Sequence, residues 1–167
     1  MKGRKTMNQK VHIKLTAGDI WLFSMVHCNR GFLGIFNLLF TGGMYFFLIT
    51  RFAQLDTAGK LVIFLLANMF LVVQPLQLYL KSARQAASPV LKQGLILTFQ
   101  EEGLEVSQGE EQAFFPWEGG LRTRFFGGMG ILYTDRIHAY LLPRRYLLDQ
   151  GPEIINLLKT KTKIIRW

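Results

Sequence analysis

The sequence lacks the residue sets on which several common protein chemistries depend. Cys28 is the only cysteine among 167 residues, which excludes a disulfide framework and leaves no cysteine set to bind a metal ion. No Gly-x-Ser-x-Gly motif is present, and the glycine-rich residues 127–130 are too short for a phosphate loop and lack its Gly-Lys-Ser/Thr ending. His12 and His27 have no second metal ligand nearby in the sequence. We therefore predict no catalytic residue, no metal site and no cofactor.

Charged residues are missing from two long stretches. Residues 31–50 and 61–80 are each 20 residues long and contain no Asp, Glu, Lys or Arg. They contain eleven and thirteen Leu, Ile, Val or Phe residues, respectively. Each would be about 30 Å long as a helix, which is the thickness of the hydrocarbon core of a bilayer. Two such runs, joined by residues 51–60, predict a transmembrane hairpin. The alternative is a pair of buried core helices in a soluble domain.

Acidic residues are also few. Eleven Asp and Glu residues compare with 20 Lys and Arg residues, so the formal net charge is +9, while the mean hydropathy is +0.20. This combination favours a membrane protein with its basic residues on one side of the bilayer over a nucleic-acid-binding protein, for which no recognition motif is present. Lys and Arg residues are more numerous in the flanks of the two runs than in their connection. The positive-inside rule therefore predicts that both termini are cytoplasmic.

The N-terminal 30 residues predict a basic arm that leads into the first span. The segment VHIKLT alternates in polarity and predicts a short strand. Thr16 and Asp19 have the spacing of a capping box, which predicts a helix that starts after Thr16. Because this helix is apolar and aromatic, we expect it to lie at the membrane interface.

The remainder of the chain predicts a soluble module. Residues 81–93 read as a helical extension and a linker, and residues 94–167 read as short alternating segments with turn signals between them. We predict a membrane α-hairpin plus an α+β module, in which an antiparallel meander of about six strands is closed by one C-terminal amphipathic helix. Such a module is similar to a reduced pleckstrin-homology-like (PH-like) barrel.

The order of these parts resembles the YcxB-like family of bacterial membrane proteins. The resemblance rests on LTAGDIWLF before the first span, the tight pair of spans, Trp117 near the middle of the module, and PRRYL at residues 143–147. One departure is Glu118-Gly119-Gly120, which stands where the family has a short helical turn with an aliphatic residue. The resemblance implies a multi-pass protein of the bacterial cytoplasmic (inner) membrane with a cytoplasmic β-rich module. It implies no reaction, because none is established for the family.

Basic and aromatic residues of the module are the remaining candidates for function. They are Arg122, Arg124, Arg144, Arg145, Lys159, Lys161, Lys163 and Trp167. Such residues are either solvated surface charges, of which those at the end of a helix complement its dipole, or a docking surface. A docking surface of this kind would bind an anionic leaflet or an acidic partner. We therefore expect a non-enzymatic membrane protein, alone or as a homo-oligomer, that binds a protein partner or anionic lipid headgroups, with no nucleic acid partner. The alternative is a subunit of an oligomeric membrane transporter or a membrane-embedded enzyme.

Polar residues within the two apolar runs predict how the runs pack. In a hairpin centred between residues 55 and 56, Asn37 is level with Gln74 and shares a helix face with Gly34 and Thr41. We predict that the Asn37 and Gln74 side chains lie within hydrogen-bonding reach of each other and that Pro75 kinks the second helix near this level. The alternative is that these amides face outward and join a second copy of the chain.

Overall fold

The computed structural model describes residues 9–135, 138–149 and 151–165, and these residues form an α+β structure. The chain divides into two compact units. The first, which we call the β unit, takes in the chain up to Leu15 and again from Ala87 onward. The second, the helical unit, is Thr16–Ala86. The helical unit is therefore inserted into the sequence of the β unit.

The helical unit consists of four α helices and one π-helical turn. They are α1 (Ala17–Cys28), α2 (Phe32–Arg51), α3 (Thr57–Ala67), the π turn (Met69–Val73) and α4 (Gln74–Ala86). The capping box predicted at the start of α1 is confirmed: the Asp19 amide donates to Thr16 Oγ1 at 3.3 Å, and the Thr16 amide donates to Asp19 Oδ2 at 2.7 Å. Asp56 caps α3 in a similar way, because its Oδ1 accepts a hydrogen bond from the Gly59 amide at 2.9 Å.

Helix α2 is exposed along most of its length. Among the described residues it is the one continuous helix that is long and apolar enough to cross a bilayer, with 20 residues, a mean hydropathy of 1.9 and only 6% of its most apolar stretch buried. The segment from α3 to α4 meets the same criterion only when it is taken across Asn68, where the helix axis bends by 44°. A core helix of a soluble domain would meet the criterion too, but it would be mostly buried.

The bend in the second apolar run lies before Pro75 rather than at it. Pro75 has no amide proton, and its ring crowds the carbonyl four residues earlier. The preceding turn is widened: the Val73 amide donates to the Asn68 carbonyl at 3.3 Å, and the Gln74 amide donates to the Met69 carbonyl. This i→i−5 pattern defines a π turn, which moves the deformation back to Asn68.

Side chains connect the helices within the helical unit. The Trp21 indole nitrogen on α1 donates to the Pro75 carbonyl at 2.9 Å. Phe70 of the π turn meets Phe36 and Phe40 of α2 edge to face, with ring centroids 6.3 Å and 5.5 Å apart. The second apolar run therefore contacts both α1 and α2.

The β unit contains two four-stranded sheets and three helices among its described residues. Its strands are β1 (Gln9–Ile13), β2 (Leu95–Phe99), β3 (Gly103–Gln108), β4 (Glu111–Pro116), β5 (Arg122–Phe126), β6 (Met129–Tyr133), β7 (Ala139–Leu142) and β8 (Lys163–Ile164). Its helices are α5 (Pro89–Lys92), α6 (Arg144–Asp149) and α7 (Gly151–Lys161). The first sheet has the order β1-β2-β3-β4 and is antiparallel throughout. The second has the order β7-β6-β5-β8, and β8 runs parallel to β5.

The structure corrects the predicted meander of about six strands closed by one helix. Strand β1 belongs to the same sheet as β2, although the helical unit separates them in the chain. Strand β8 is only two residues long and follows α7, so alternation could not reveal it. Helix α6 precedes α7. The α+β class predicted for this part of the chain is confirmed.

One apolar core holds the β unit together. Strand residues such as Val11, Ile13 and Phe99 pack in it with Ile154 and Leu158 of α7. This confirms that α7 is amphipathic. The buried Trp117 indole nitrogen donates to the Gln100 carbonyl at 3.0 Å. Trp117–Gly119 forms a 3₁₀ turn, and Gly120, with φ of +81°, ends it in a left-handed conformation that favours glycine.

Candidate functional site

Basic residues on β5 and β8 form the first cluster of predicted interaction residues. Arg122 and Lys163 are register partners across the parallel strands, so their side chains project from the same face. Lys163 is exposed, and the Arg122 guanidinium donates to the Asp135 carbonyl at 2.9 Å. This bond holds Arg122 against the turn after β6 and leaves Lys163 as the more available charge.

Arg124 is not a surface group, which differs from the prediction. It is only 8% exposed, and its guanidinium carbon lies 5.4 Å from the centre of the Phe126 ring. Thr123, on the opposite face of β5, is fully buried. Because Arg124 and Thr123 point to opposite faces of β5 and both are buried, both faces of this strand are covered at this level. The alternation of the sequence placed Arg122 and Arg124 on one face but could not reveal that cover.

Two further predicted residues lie in the last turn of α7. Lys159 and Lys161 are both exposed. The Thr162 hydroxyl follows them and lies 2.7 Å from Thr123 Oγ1 and 2.6 Å from the Leu158 carbonyl. These bonds fix the end of α7 against β5, so the two lysines precede Lys163 on an ordered backbone. Trp167 lies outside the described residues.

Arg144 and Arg145 belong to α6 and have different roles. The Arg145 guanidinium donates to the Lys14 carbonyl at 2.6 Å, and the Tyr146 hydroxyl accepts a hydrogen bond from the Lys14 amide at 3.0 Å. Arg145 and Tyr146 therefore both hold the end of β1. Arg144 is exposed, and its methylene groups lie against the Gly128 turn, where an added Cβ would be 2.7 Å from Arg144 Cδ.

A cavity of about 290 Å³ lies at the end of β1 and β2. No sequence pattern indicated this cavity. Its lining includes the basic side chains of His12, Lys14 and Lys92. Alternation along β1 places His12 and Lys14 on one face. Lys92 joins them only because β1 pairs with β2, a contact that no local pattern reveals.

The two amides predicted to meet inside the helical unit lie at the limit of hydrogen-bonding distance. Asn37 Nδ2 is 3.5 Å from Gln74 Oε1 and donates a shorter bond of 2.8 Å to Asn29 Oδ1. The Tyr45 hydroxyl donates to Asn68 Oδ1 at 3.1 Å. The side-chain oxygen of Thr41 is buried without a hydrogen-bond partner among the described residues. Most of these polar groups are therefore satisfied within the unit itself.

The turn after β6 carries a hydrogen-bonded pair and a perturbed phenol. The carboxylate of Asp135 lies 2.6 Å from His138 Nδ1 and also accepts from the His138 amide at 2.7 Å. Burial, with a smaller contribution from the negative charge of Asp135, raises the pKa of Tyr140. The pair is exposed, and the arrangement serves to close a turn.

The candidate residues that the structure describes are mainly basic. No group of three or more His, Cys, Asp or Glu side chains among the described residues could hold a metal ion. Basic side chains instead line one cavity and one end of α7 with its following strand. The chain matches no protein-family model, no curated protein and no solved structure.

Proposed function

We propose that the protein is a non-enzymatic integral protein of the bacterial cytoplasmic membrane. The helical unit is a two-span hairpin, and the β unit is a cytoplasmic, PH-like module that binds anionic lipid headgroups or a protein partner. Membership of the YcxB-like family is part of this proposal. The observation that carries it is the surface of α2, where large apolar side chains such as Phe32 and Leu38 are 77% and 74% exposed. Contiguous apolar surfaces of this kind mark contact with a membrane or another protein.

The pairing of β1 with β2 supports two spans rather than one. The chain leaves the β unit after β1 and re-enters it before β2, and these strands are hydrogen-bonded neighbours in one sheet. Both ends of the helical unit therefore return to the same side of a membrane. If α2 crosses the bilayer, the segment from α3 to α4 has to cross back.

Exposed apolar side chains on the second segment agree with that return crossing. Leu61, Leu65, Leu71 and Leu76 are all more than half exposed. Lys81 and Arg84 follow only near the end of α4. A bent helix is tolerated in a bilayer when its freed backbone groups find other partners. The π turn supplies such partners around Pro75.

The basic groups of the β unit supply the docking function. Lys159, Lys161 and Lys163 are exposed, and basic residues near an anionic leaflet each contribute about 1 kcal/mol of attraction. The positive-inside rule places the β unit on the cytoplasmic side, which is the side of the anionic leaflet.

A role as a subunit of an oligomeric transporter or membrane enzyme is the second candidate. The buried hydroxyl of Thr41 in α2 favours it, because this group has no hydrogen-bond partner among the described residues and a buried polar group is costly without one. Against it, neither apolar run contains an ionisable carboxylate or amine, which intramembrane machinery generally requires.

Membrane extraction followed by copurification tests the proposed function. The full-length protein should remain in the membrane fraction after an alkaline carbonate wash, because its exposed helices are embedded in lipid. Release by the wash would show a soluble or peripheral protein. Purification in a mild detergent should then recover bound anionic lipid or one stoichiometric protein partner, identified by mass spectrometry. Recovery of a substrate-transporting assembly would favour the second candidate.

A further inference from the structure

We propose that the cavity at the end of β1 and β2 binds a phosphate-bearing anion. The ligand is the phosphodiester of an anionic phospholipid or, if soluble, a small phosphate ester. The choice of the lipid rests on the proposed function, whereas the anion site itself rests on the cavity. Its volume of about 290 Å³ is just below the range of about 300–1,000 Å³ for ligand pockets, so the cavity suits a headgroup rather than a large molecule.

The walls of the cavity come from three places in the β unit. His12 on β1 and Lys14 just after it form one wall, the end of α5 supplies Lys92 and the following Gln93, and the β3–β4 hairpin supplies Ser107 and Gly109. The hairpin is tied to the α5 segment, because Gln108 Nε2 donates to the Val90 carbonyl at 2.9 Å. This side-chain bond joins two of the three walls of the cavity.

Glycine residues let this wall close. Gly94 has φ of +80°, a conformation that other residues rarely adopt, and an added Cβ would lie 3.2 Å from the Ile13 carbonyl. Gly109 has φ of +61°, and a Cβ there would lie 2.8 Å from Gln93 Oε1. Larger residues at either position would reshape the cavity.

The charged side chains that line the cavity are basic. Lys14 and Lys92 carry ammonium groups that have no hydrogen-bond or ion-pair partner among the described residues. None of the described lining residues is acidic, although Glu110 follows Gly109 in the hairpin turn. The Ser107 hydroxyl and the Gln93 amide add neutral donors to the set. Two unpaired ammonium groups beside neutral donors suit the oxygens of a phosphate.

The position of the cavity in the chain points to a lipid as the source. Lys14 immediately precedes Leu15, the last residue before the helical unit, and Lys92 lies on the segment by which the chain returns from it. Under the proposed function the helical unit lies in a bilayer, so the headgroup of an anionic phospholipid is the phosphate source to which the proposal commits.

Titration of the full-length protein with phospholipid, in a detergent that contains no phosphate group, tests the proposal. Native mass spectrometry would count bound dioctanoyl phosphatidylglycerol, with dioctanoyl phosphatidylcholine and glycerol 1-phosphate as the comparison probes. The double variant Lys14→Gln/Lys92→Gln should weaken phosphatidylglycerol binding by about thirtyfold, given the usual contribution of a lysine near anionic lipid. The matched variant Lys60→Gln/Lys81→Gln makes the same change in charge at residues of the helical unit that do not line the cavity, and it should bind as the wild type does. Lys14→Arg/Lys92→Arg should retain binding, which separates lost charge from lost folding.

A second readout locates the ligand directly. Acetylation of lysines, followed by mass spectrometry, should show that phosphatidylglycerol protects Lys14 and Lys92 but not the exposed Lys81. If glycerol 1-phosphate displaces phosphatidylglycerol at equal concentration, the anion site stands, and its ligand is a soluble phosphate ester rather than a lipid. The variant Lys159→Gln/Lys161→Gln tests the docking residues separately. If it alone weakens binding, the cavity is overturned as the site, while lipid docking by the β unit stands. Absence of binding to every probe would overturn the proposal, and the proposed function would then rest on a protein partner.

Discussion

Ile13 on β1 and Leu95 on β2 are register partners in an antiparallel pair, although the whole helical unit lies between them in the chain. The side chain of Ile13 is 1% exposed, so β1 is part of the core of the β unit. A sheet that is completed by strands from before and after the helical unit in the sequence ties the two ends of that unit together.

The first prediction concerns the excised β unit. Residues 9–15 joined by a glycine-serine linker to residues 87–167 should fold as a soluble α+β domain and unfold cooperatively in urea. Residues 94–167 alone should not, because they leave the edge of β2 and the core around Val11 and Ile13 open. Within the linked protein, Ile13→Ala should reduce the free energy of unfolding by about 2–5 kcal/mol. A stable, cooperative fragment 94–167 would show that β1 is dispensable.

The second prediction compares two glycines of α2. A Cβ added at Gly34 would collide with the backbone carbonyl of Asn29, whereas a Cβ added at Gly42 meets nothing within 4 Å. Gly34→Ala should therefore lower the thermal stability of the full-length protein in detergent, by about 1–3 kcal/mol in free energy. Gly42→Ala should be neutral or stabilising, because alanine is the better helix former. Equal effects of the two substitutions would argue against the observed approach of Asn29 to α2.

The third prediction separates the partners of Asn37. Its bond to Asn29 is 2.8 Å long, whereas its contact with Gln74 is 3.5 Å long. Double-mutant cycles with alanine should thus give a larger coupling energy for Asn29 and Asn37 than for Asn37 and Gln74. In a membrane such bonds are worth about 0.6–2 kcal/mol. A purely oligomeric role of Asn37 would instead show as a loss of self-association with no coupling inside the hairpin.

The fourth prediction is a pH dependence that Tyr140 causes. Because its pKa is raised above the ordinary value of 10.0, the folded β unit holds this proton to higher pH than the unfolded chain does. The stability that Tyr140 contributes is complete below pH 10.0 and is lost as the pH rises through the raised pKa of the folded state. Urea unfolding of the linked β unit should show this alkaline decline, and Tyr140→Phe should make it shallower. An identical decline in both proteins would assign it to other groups.

Structural features that depend on residues close together in the chain could be predicted from the sequence. The capping box of Thr16 and Asp19 and the apolar face of α7 depend on residues a turn or two apart, and both are present. Features that depend on contacts between distant segments of the chain could not be predicted. The pairing of β1 with β2, the burial of Arg124 and the cavity with Lys14 and Lys92 all depend on chain segments that meet only in the fold. Gly34 leaves room for the Asn29 carbonyl, a close approach that its position on the same helix face as Asn37 did not reveal.

Site-specific labelling tests the central claim, that the helical unit crosses the membrane twice and leaves the β unit in the cytoplasm. In a Cys28→Ser background, one variant carries Ala53→Cys in the turn between α2 and α3, and another carries Glu110→Cys in the β3–β4 turn. A membrane-impermeant maleimide added to intact cells should label the Ala53→Cys variant, and should label the Glu110→Cys variant only after permeabilisation. Labelling of Glu110→Cys in intact cells, or protection of both variants until permeabilisation, would contradict the proposed topology.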